Sequence, residues 1–335
     1  MTEDIITLDY GSGGEKTSAL IDFILVPAFS NPALNTLGDG AVLPGGETLV
    51  FSTDSFVVSP WRFPGGDIGK LSICGTVNDV CMAGGLPKYI SLSLILEEGF
   101  PVADLKKIVS SIAKEAEKAG VMVVTGDTKV VERGKGDGIY INTAGIGIRR
   151  ACLPGREGIR EGDVVLLSGS AGCHGAAVMM ERAGLAGDGA LVSDCQPLHQ
   201  LSGAVLQAGG SGVRILRDPT RGGVATTLNE FTEGMPFSIE LFEDEIPVEA
   251  AVEAACELLG LDPLYCACEG RMLAVVDAEK ADSVLSAMRA VPGGEGAARI
   301  GTVTASRPGK VVLKTVLGGS RILAKLSGQQ LPRIC

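Results

Sequence analysis

At 335 residues, with a formal net charge of −11 and a hydrophobic fraction of 45%, the chain is long enough for two domains with cores of their own. The acidity argues against a nucleic-acid surface, which needs clustered Lys and Arg; it also repels free nucleotide phosphates, so an anionic ligand needs a bridging cation. No apolar run approaches the length of a membrane span, nothing at the N-terminus has the form of an export signal, and nine irregularly spaced cysteines read as reduced thiols of a cytoplasmic protein.

The first forty residues read as an irregular arm. Within it, Asp9-Tyr10-Gly11-Ser12-Gly13-Gly14-Glu15-Lys16-Thr17 superficially suggests a P-loop, but Glu15 stands where that pattern needs glycine. It is either a flap over phosphates or a plain flexible arm. From Thr48 the chain becomes regular. A strand is expected over 48–58, then Asp67 can cap a helix running to about Ala83, and a second strand follows over 89–96. Between Asp104 and Gly120, Leu105, Ile108, Val109, Ile112, Ala113 and Ala116 form one helical stripe that the glycine stops. Strands over 121–124 and 139–148 complete a β-α-β-α-β-β order.

Pro154, Gly155, Gly158 and Gly162 mark a boundary, and a strand over 164–167 opens a second unit. Helices near 176–182 and 198–207, a strand over 271–277, a helix over 278–290 and strands near 299–303 and 311–314 continue it. The predicted fold class is α+β: two α+β domains, mixed sheets covered by helices. The expected division is a glycine-rich arm (1–40), an N-terminal ATP-binding and dimerisation domain (41–150), a C-terminal domain (151–317) and a mobile tail (318–335). Gly318, Gly319 and Gly328 punctuate that tail, Pro332 bars a helix through its end, and its last residue is a thiol, Cys335. Prenylation does not fit, because that signal places the cysteine four residues from the end.

Five aspartates stand at junctions where a carboxylate is costly to bury without a cation or hydrogen bonds: Asp39, Asp54, Asp79, Asp127 and Asp218. Singly, each reads as a turn or cap residue. Together, each beside glycine or a small polar residue, they suit Mg²⁺, which prefers oxygen ligands and is often shared with substrate phosphates.

Asp9-Tyr10-Gly11-Ser12-Gly13-Gly14, Leu37-Gly38-Asp39-Gly40, Ser52-Thr53-Asp54-Ser55-Phe56, Asn78-Asp79-Val80, Gly126-Asp127-Thr128-Lys129-Val130 and Asp218-Pro219-Thr220-Arg221-Gly222-Gly223 occur in this order. In this the chain resembles the family that includes aminoimidazole ribonucleotide synthetase, selenophosphate synthetase and thiamine-monophosphate kinase. The terminal Pro332-Arg333-Ile334-Cys335 singles out its HypE branch of hydrogenase maturation proteins. The resemblance implies two α+β domains, a homodimer through the N-terminal domains, and ATP with Mg²⁺ in the cleft. By position, Asp39, Asp54, Asp79, Asp127 and Asp218 would hold the metal, and they with Asn78, Gly126 and the arm Gly11, Ser12, Gly13 and Gly14 would hold the nucleotide. It further implies that the carbamoyltransferase HypF loads a carbamoyl group onto Cys335. ATP-dependent dehydration then gives a thiocyanate, and the cyanide passes through a HypC–HypD iron scaffold to the iron of [NiFe]-hydrogenase.

Such a dehydration needs the carbamoyl oxygen phosphorylated and two protons taken from the nitrogen. Lys129, two residues beyond Asp127, is a candidate base or a phosphate or carboxylate partner. Glu269, in a Glu-Gly pair that HypE-like proteins also carry, is a candidate base or a loop carboxylate paired with Arg271. Family members more often have Asn before that glutamate, where this chain has Cys268. Cys266 and Cys268 are too few to hold zinc and read as buried thiols. His174, in Gly172-Cys173-His174-Gly175, is either structural or cleft-lining. The rival functions are a small-molecule kinase or phosphate-activating synthetase on the same fold, and a non-catalytic iron carrier using Cys266, Cys268 and Cys335.

Overall fold

The computed structural model describes residues 5–11, 15–36, 41, 43–187, 191–325, 331 and 333–335. Where it is described, the arm is not irregular. Helix α1 (Glu15–Leu20), a π-helical turn (Ile21–Leu25) and α2 (Val26–Phe29) run on from one another, and Leu20, Ile24 and Phe29 are buried. Pro27 lies at the start of α2, where its missing N–H is no loss. The Ile6 carbonyl and N–H bond Gly99 and Phe100 at 2.7 and 2.8 Å, tying the arm down.

The N-terminal domain follows as β1 (Leu49–Phe56), a small hairpin of β2 (Arg62–Phe63) and β3 (Gly66–Asp67), α3 (Ile68–Met82), β4 (Gly85–Glu97), α4 (Val102–Ala119), β5 (Met122–Val131) and β6 (Ile139–Arg149). Asp67 caps α3 by accepting the Lys70 N–H, and Gly120 closes α4 at φ 67°. The sheet order is β1-β6-β4-β5, parallel only between β4 and β5. Alternate residues, among them Ile90, Leu92, Leu94, Ile139 and Ile141, are buried. On the opposite face Leu49, Phe51 and Ile95 remain exposed.

Helix α3 is buried at thirteen of its fifteen positions, as a helix walled in on all sides must be. It packs on β1, β6 and α4 of its own domain and on α6 and β8 of the next.

The C-terminal domain comprises β7 (Val164–Leu167), α5 (Cys173–Arg182), α6 (His199–Gly209), β8 (Val213–Arg217), α7 (Gly223–Thr232), β9 (Ser238–Phe242), α8 (Ala250–Leu259), β10 (Leu273–Val276), α9 (Ala281–Arg289), β11 (Ala298–Thr304), β12 (Val311–Lys314) and β13 (Ser320–Leu323). Its sheet runs β13-β12-β9-β11-β7-β10-β8. Both faces are covered: Val164 and Leu166 join one apolar cluster, Val165 and Leu167 another. That is why β7 and β10 read as unbroken apolar runs. β13 pairs with β12, so the stretch expected to be tail from residue 318 first contributes an edge strand.

Gly75 of α3 faces the fully buried ring of Phe56; an added Cβ would lie 2.9 Å from its Cε1 and Cζ. Gly75→Val is expected to overpack this contact and destabilise the protein by about 1–3 kcal/mol, read as a lower urea midpoint in equilibrium unfolding.

Candidate active site

The end of the chain is docked in the seam between the domains. The Cys335 carbonyl accepts the Val57 N–H (3.0 Å), and the Arg333 carbonyl accepts the Ser59 N–H (3.3 Å). From the C-terminal domain, Arg182 Nη2 donates to the Arg333 carbonyl (3.0 Å) and His174 Nε2 bonds the Ile334 carbonyl (2.8 Å). Arg333 returns a bond from Nε to the Val57 carbonyl (2.9 Å), and its Nη1 pairs with Asp137. Ile334 is 3% exposed, a burial that contributes about 1.5–3 kcal/mol relative to an exposed side chain.

This docking puts Cys335 in the wall of a cavity of about 170 Å³. Asp54, Asp79, Asp218, Glu269, Arg217, Arg221 and Thr53 share the wall. Each comes from a different element end: Asp54 from β1, Asp79 from the last turn of α3, Asp218 from the residue after β8, and Glu269 from the loop before β10. The electrostatics are strained. Burial raises the Asp54 carboxyl, with Asp79 adding to it. Asp218 is pushed up to about 7, first by burial and then by Asp79. Glu269 lies well above the usual carboxylate range through burial and its neighbours' charges, and its buried Oε1 has no hydrogen-bond partner. The Cys335 thiol is pushed up to about 12, first by burial and then by Glu269 and Asp54. A cavity of about 510 Å³ adjoins, sharing Asp79, Arg217 and Asp218.

Of the four aspartates among the described residues, Asp54, Asp79 and Asp218 therefore meet and Asp127 does not. Asp127 and Lys129 lie within β5, which runs on beyond the strand expected over 121–124, and pair with each other at 2.7 Å. The pairing lowers the Asp127 carboxyl. β5 is the edge opposite β1, so two strands intervene and the separation across the sheet is about 14 Å. Within one chain, Lys129 is absent from the wall of the Cys335 cavity. Asp39, Ser12, Gly13 and Gly14 lie outside the described residues, and Gly11 ends a 3₁₀ turn. Gly126 is glycine for packing: a Cβ would meet the Leu92 carbonyl at 2.4 Å.

Asn78 is engaged by protein. Its Nδ2 donates to the Gln196 and Glu269 carbonyls (both 3.2 Å), and its Oδ1 accepts the Leu198 N–H (2.8 Å). Arg271 takes Asp194 as its ionic partner (3.6 Å), leaving Glu269 to the cavity. Arg221, Arg182 and Ser193 had drawn no individual attention; the Asp-Pro-Thr-Arg-Gly-Gly run was the available signal for the first. Among the described residues, no group of three or more His, Cys, Asp or Glu could by itself hold a metal ion. Cys266 sits 3.9 Å from Cys256 in a buried cluster, which does not suit a carrier built on Cys266, Cys268 and Cys335.

The model of the N-terminal domain of AIR synthase related proteins matches residues 37–149, and that of the C-terminal domain residues 160–314. Carbamoyl dehydratase HypE of Cupriavidus necator is 51% identical over 333 residues, covering 98% of this chain and 95% of that protein. The chain belongs to the carbamoyl dehydratase HypE family. A crystal structure of HypE in complex with ATP superposes with a TM-score of 0.94 at 45% identity, covering 98% of this chain and 99% of the other. A HypE–HypF complex gives 0.80 at 43% identity, covering 92% and 100%. As a HypE-family enzyme the chain is a dehydratase, and no described helix is long and apolar enough to cross a membrane. The Cys268 sulfur accepts the Gly172 N–H at 3.1 Å.

Asp218 has a testable pH signature. Its folded value of about 7 lies above the ordinary 3.8, so between these values the folded state keeps a proton that the unfolded chain has released. Its contribution to stability is therefore full in acid and is lost as pH rises through about 7. Asp218→Asn should be stabilised relative to wild type, with a gain that grows between about pH 4 and pH 7 by at most about 1.4 kcal/mol per pH unit and then levels off. Urea unfolding across that range measures it.

Proposed function

We propose that this enzyme dehydrates an S-carbamoyl group on its own Cys335 to a thiocyanate, using ATP, and so supplies the cyanide ligand for the iron of [NiFe]-hydrogenase. The observation that carries this reading is the terminal thiol docked against Asp54, Asp79, Asp218, Arg221 and Glu269. The ATP bound in a solved HypE relative supports the choice of nucleotide. The carbamoyl oxygen attacks the γ-phosphorus and ADP leaves. The C–O bond then breaks with phosphate as leaving group, and both N–H protons depart as the C≡N bond forms. S-carbamoyl-cysteine and ATP thus give thiocyanate, ADP, phosphate and one proton.

Mg²⁺ fits the carboxylates of this cavity, which offer it oxygen donors and of which Asp218 is raised by burial and by Asp79. Asp54, Asp79 and Asp218 would hold the ion together with phosphate oxygens. Bound there, it would neutralise charge on the transferred phosphoryl group. Arg217 and Arg221 add fixed positive charge on the same wall. Glu269 is the base: its buried Oε1 has no partner in the protein, and once ionised it accepts a proton from the carbamoyl nitrogen.

A thiol pushed up to about 12 is a poor nucleophile, so loading belongs outside the cavity. The carbamoyltransferase HypF is the loading partner, in keeping with the solved HypE–HypF complex, and a HypC–HypD scaffold receives the cyanide. The nine free thiols suit the reducing cytoplasm. We place the homodimer on the open face of the N-terminal sheet, where Leu49, Phe51 and Ile95 are exposed. Asp127 continues the register row Ser55–Asn142–Ser93 across that sheet. In such a dimer the Asp127–Lys129 pair lies at the seam, where Lys129 serves nucleotide phosphates or a proton-transfer step. A small-molecule kinase would need a separate acceptor site, whereas this cavity is closed by the chain's own thiol.

Cys335→Ala should fold and bind MgATP but gain no carbamoyl mass after incubation with the carbamoyl donor system. In single-turnover assays on carbamoylated protein at saturating MgATP, Glu269→Gln should slow thiocyanate formation by about 10²–10⁴-fold. The wild-type rate should rise with pH as Glu269 ionises, and the variant should lose that dependence. Wild-type rates in Glu269→Gln would leave phosphate or water as the proton acceptor.

A further inference from the structure

One face of α5 accompanies the described end of the tail, residues 331 and 333–335. Leu331 lies over Gly175, where an added Cβ would meet its Cδ1 at 3.1 Å. His174, Val178 and Arg182 follow at four-residue spacing, one helical face. Val178 shares an apolar cluster with Ile334, Arg182 bonds the Arg333 carbonyl and His174 the Ile334 carbonyl. The first turn of α5 is itself fixed. Gly175 donates to the Ala267 carbonyl at 2.9 Å, and a Cβ at Gly172 would meet the Pro263 carbonyl at 2.8 Å.

His174 is fully buried, and its surroundings leave one hydrogen arrangement. The Ile334 carbonyl only accepts, so Nε2 carries the hydrogen. Nδ1 then accepts from the Ser193 hydroxyl at 2.7 Å. Ser193 Oγ in turn accepts the Cys195 N–H at 3.1 Å, while the Ser193 N–H donates to the Pro64 carbonyl at 2.8 Å. The Phe63 ring stands edge-on at 5.2 Å. Burial holds the imidazole down at about 4, so it reads the tail as a neutral donor.

We propose that His174 is a positioning residue for the dehydration: its Nε2–H, oriented by Ser193, holds the Ile334 carbonyl and so seats the Cys335 sulfur in the carboxylate cavity. The reacting group sits on the next residue, and a displacement of 1 Å at a reacting centre can cost about 10²-fold in rate. The proposal rests on the reading above that Cys335 carries the substrate, but docking is measurable without any chemistry.

The full-length protein is alkylated with N-ethylmaleimide under native conditions, and each cysteine is followed by peptide mass spectrometry. Exposed Cys152 and buried Cys195 serve as internal references. His174→Ala should raise the Cys335 rate about tenfold, the equivalent of one lost buried hydrogen bond, with both references unchanged. His174→Gln, whose terminal amide N–H can stand in for Nε2–H, should return it to within about twofold of wild type. On carbamoylated protein with MgATP, His174→Ala should slow thiocyanate formation by at least the same factor, while carbamoyl loading proceeds at the wild-type rate or faster. An unchanged Cys335 rate in folded His174→Ala overturns the proposal, as does a parallel rise at Cys195, which marks general loosening. If His174→Ala does not fold, Ser193→Ala takes its place: a few-fold rise at Cys335 supports the proposal and no rise overturns it. Should wild type form no thiocyanate, the proposed chemistry fails, and the alkylation arms still decide the role of His174.

Discussion

The relation between the two domains hangs on one buried carboxamide. Asn78, projecting from the central helix α3, uses both amide hydrogens and its oxygen on backbone groups of the C-terminal domain. Those groups belong to the approach to α6 and to Glu269, so the same side chain sets the domain register and fixes the loop that carries the proposed base. Leaving a buried polar group unpaired costs about 1–3 kcal/mol, and slippage at this point would orphan several. The groove that receives the tail exists only in this seam, walled by Val57 and Ser59 on one side and by His174 and Arg182 on the other. Tail docking is therefore a property of the paired domains, not of either alone.

Holding the seam closed brings together groups that repel one another. Asp54, Asp79, Asp218 and Glu269 line one small cavity, and burial raises three of them, each with further contributions from acidic neighbours. Among the described residues the arginines on the wall, Arg217 and Arg221, oppose the effect without abolishing it. Such a site favours whatever brings positive charge with it and disfavours a bare anion. That selectivity suits a nucleotide arriving with a cation over free phosphate. It also keeps the unloaded thiol protonated, since the same carboxylates raise Cys335.

Much of this architecture was legible in the sequence because period and punctuation agree there. The stripe of α4 ends at Gly120, Asp67 caps α3, and the alternation in β4 and β6 matches a sheet with one face on helices. The elements that escaped notice are α1, α2, β2, β3, β8, α7, β9, α8 and β13; the strands among them are short, and several of the boundaries are set by tertiary pairing more than by capping signals. α7, for example, starts at a left-handed Gly222 with no side-chain cap. The grouping of the aspartates was not legible, because it depends on strand order. Asp54 and Asp127 both lie on strands, but order β1-β6-β4-β5 puts those strands on opposite edges. The bonds of Asn78 were not legible for a related reason: the backbone groups it engages belong to the second domain.

The form of the tail contacts suits a segment that must both stay and leave. Most of what holds residues 333–335 is hydrogen bonding to their carbonyls, which water can replace with a net loss of only about 0.5–1.5 kcal/mol each. The main apolar anchor is Ile334. Arg333 adopts φ 51°, a left-handed conformation that costs a non-glycine residue about 1–2 kcal/mol, and undocking returns that strain. A tail seated by several large apolar side chains would be held more firmly but would expose a sticky segment each time it left to be loaded. Here a few directional bonds orient the residues beside the sulfur, a form of attachment that, on the proposed function, suits a thiol serving two active sites in turn.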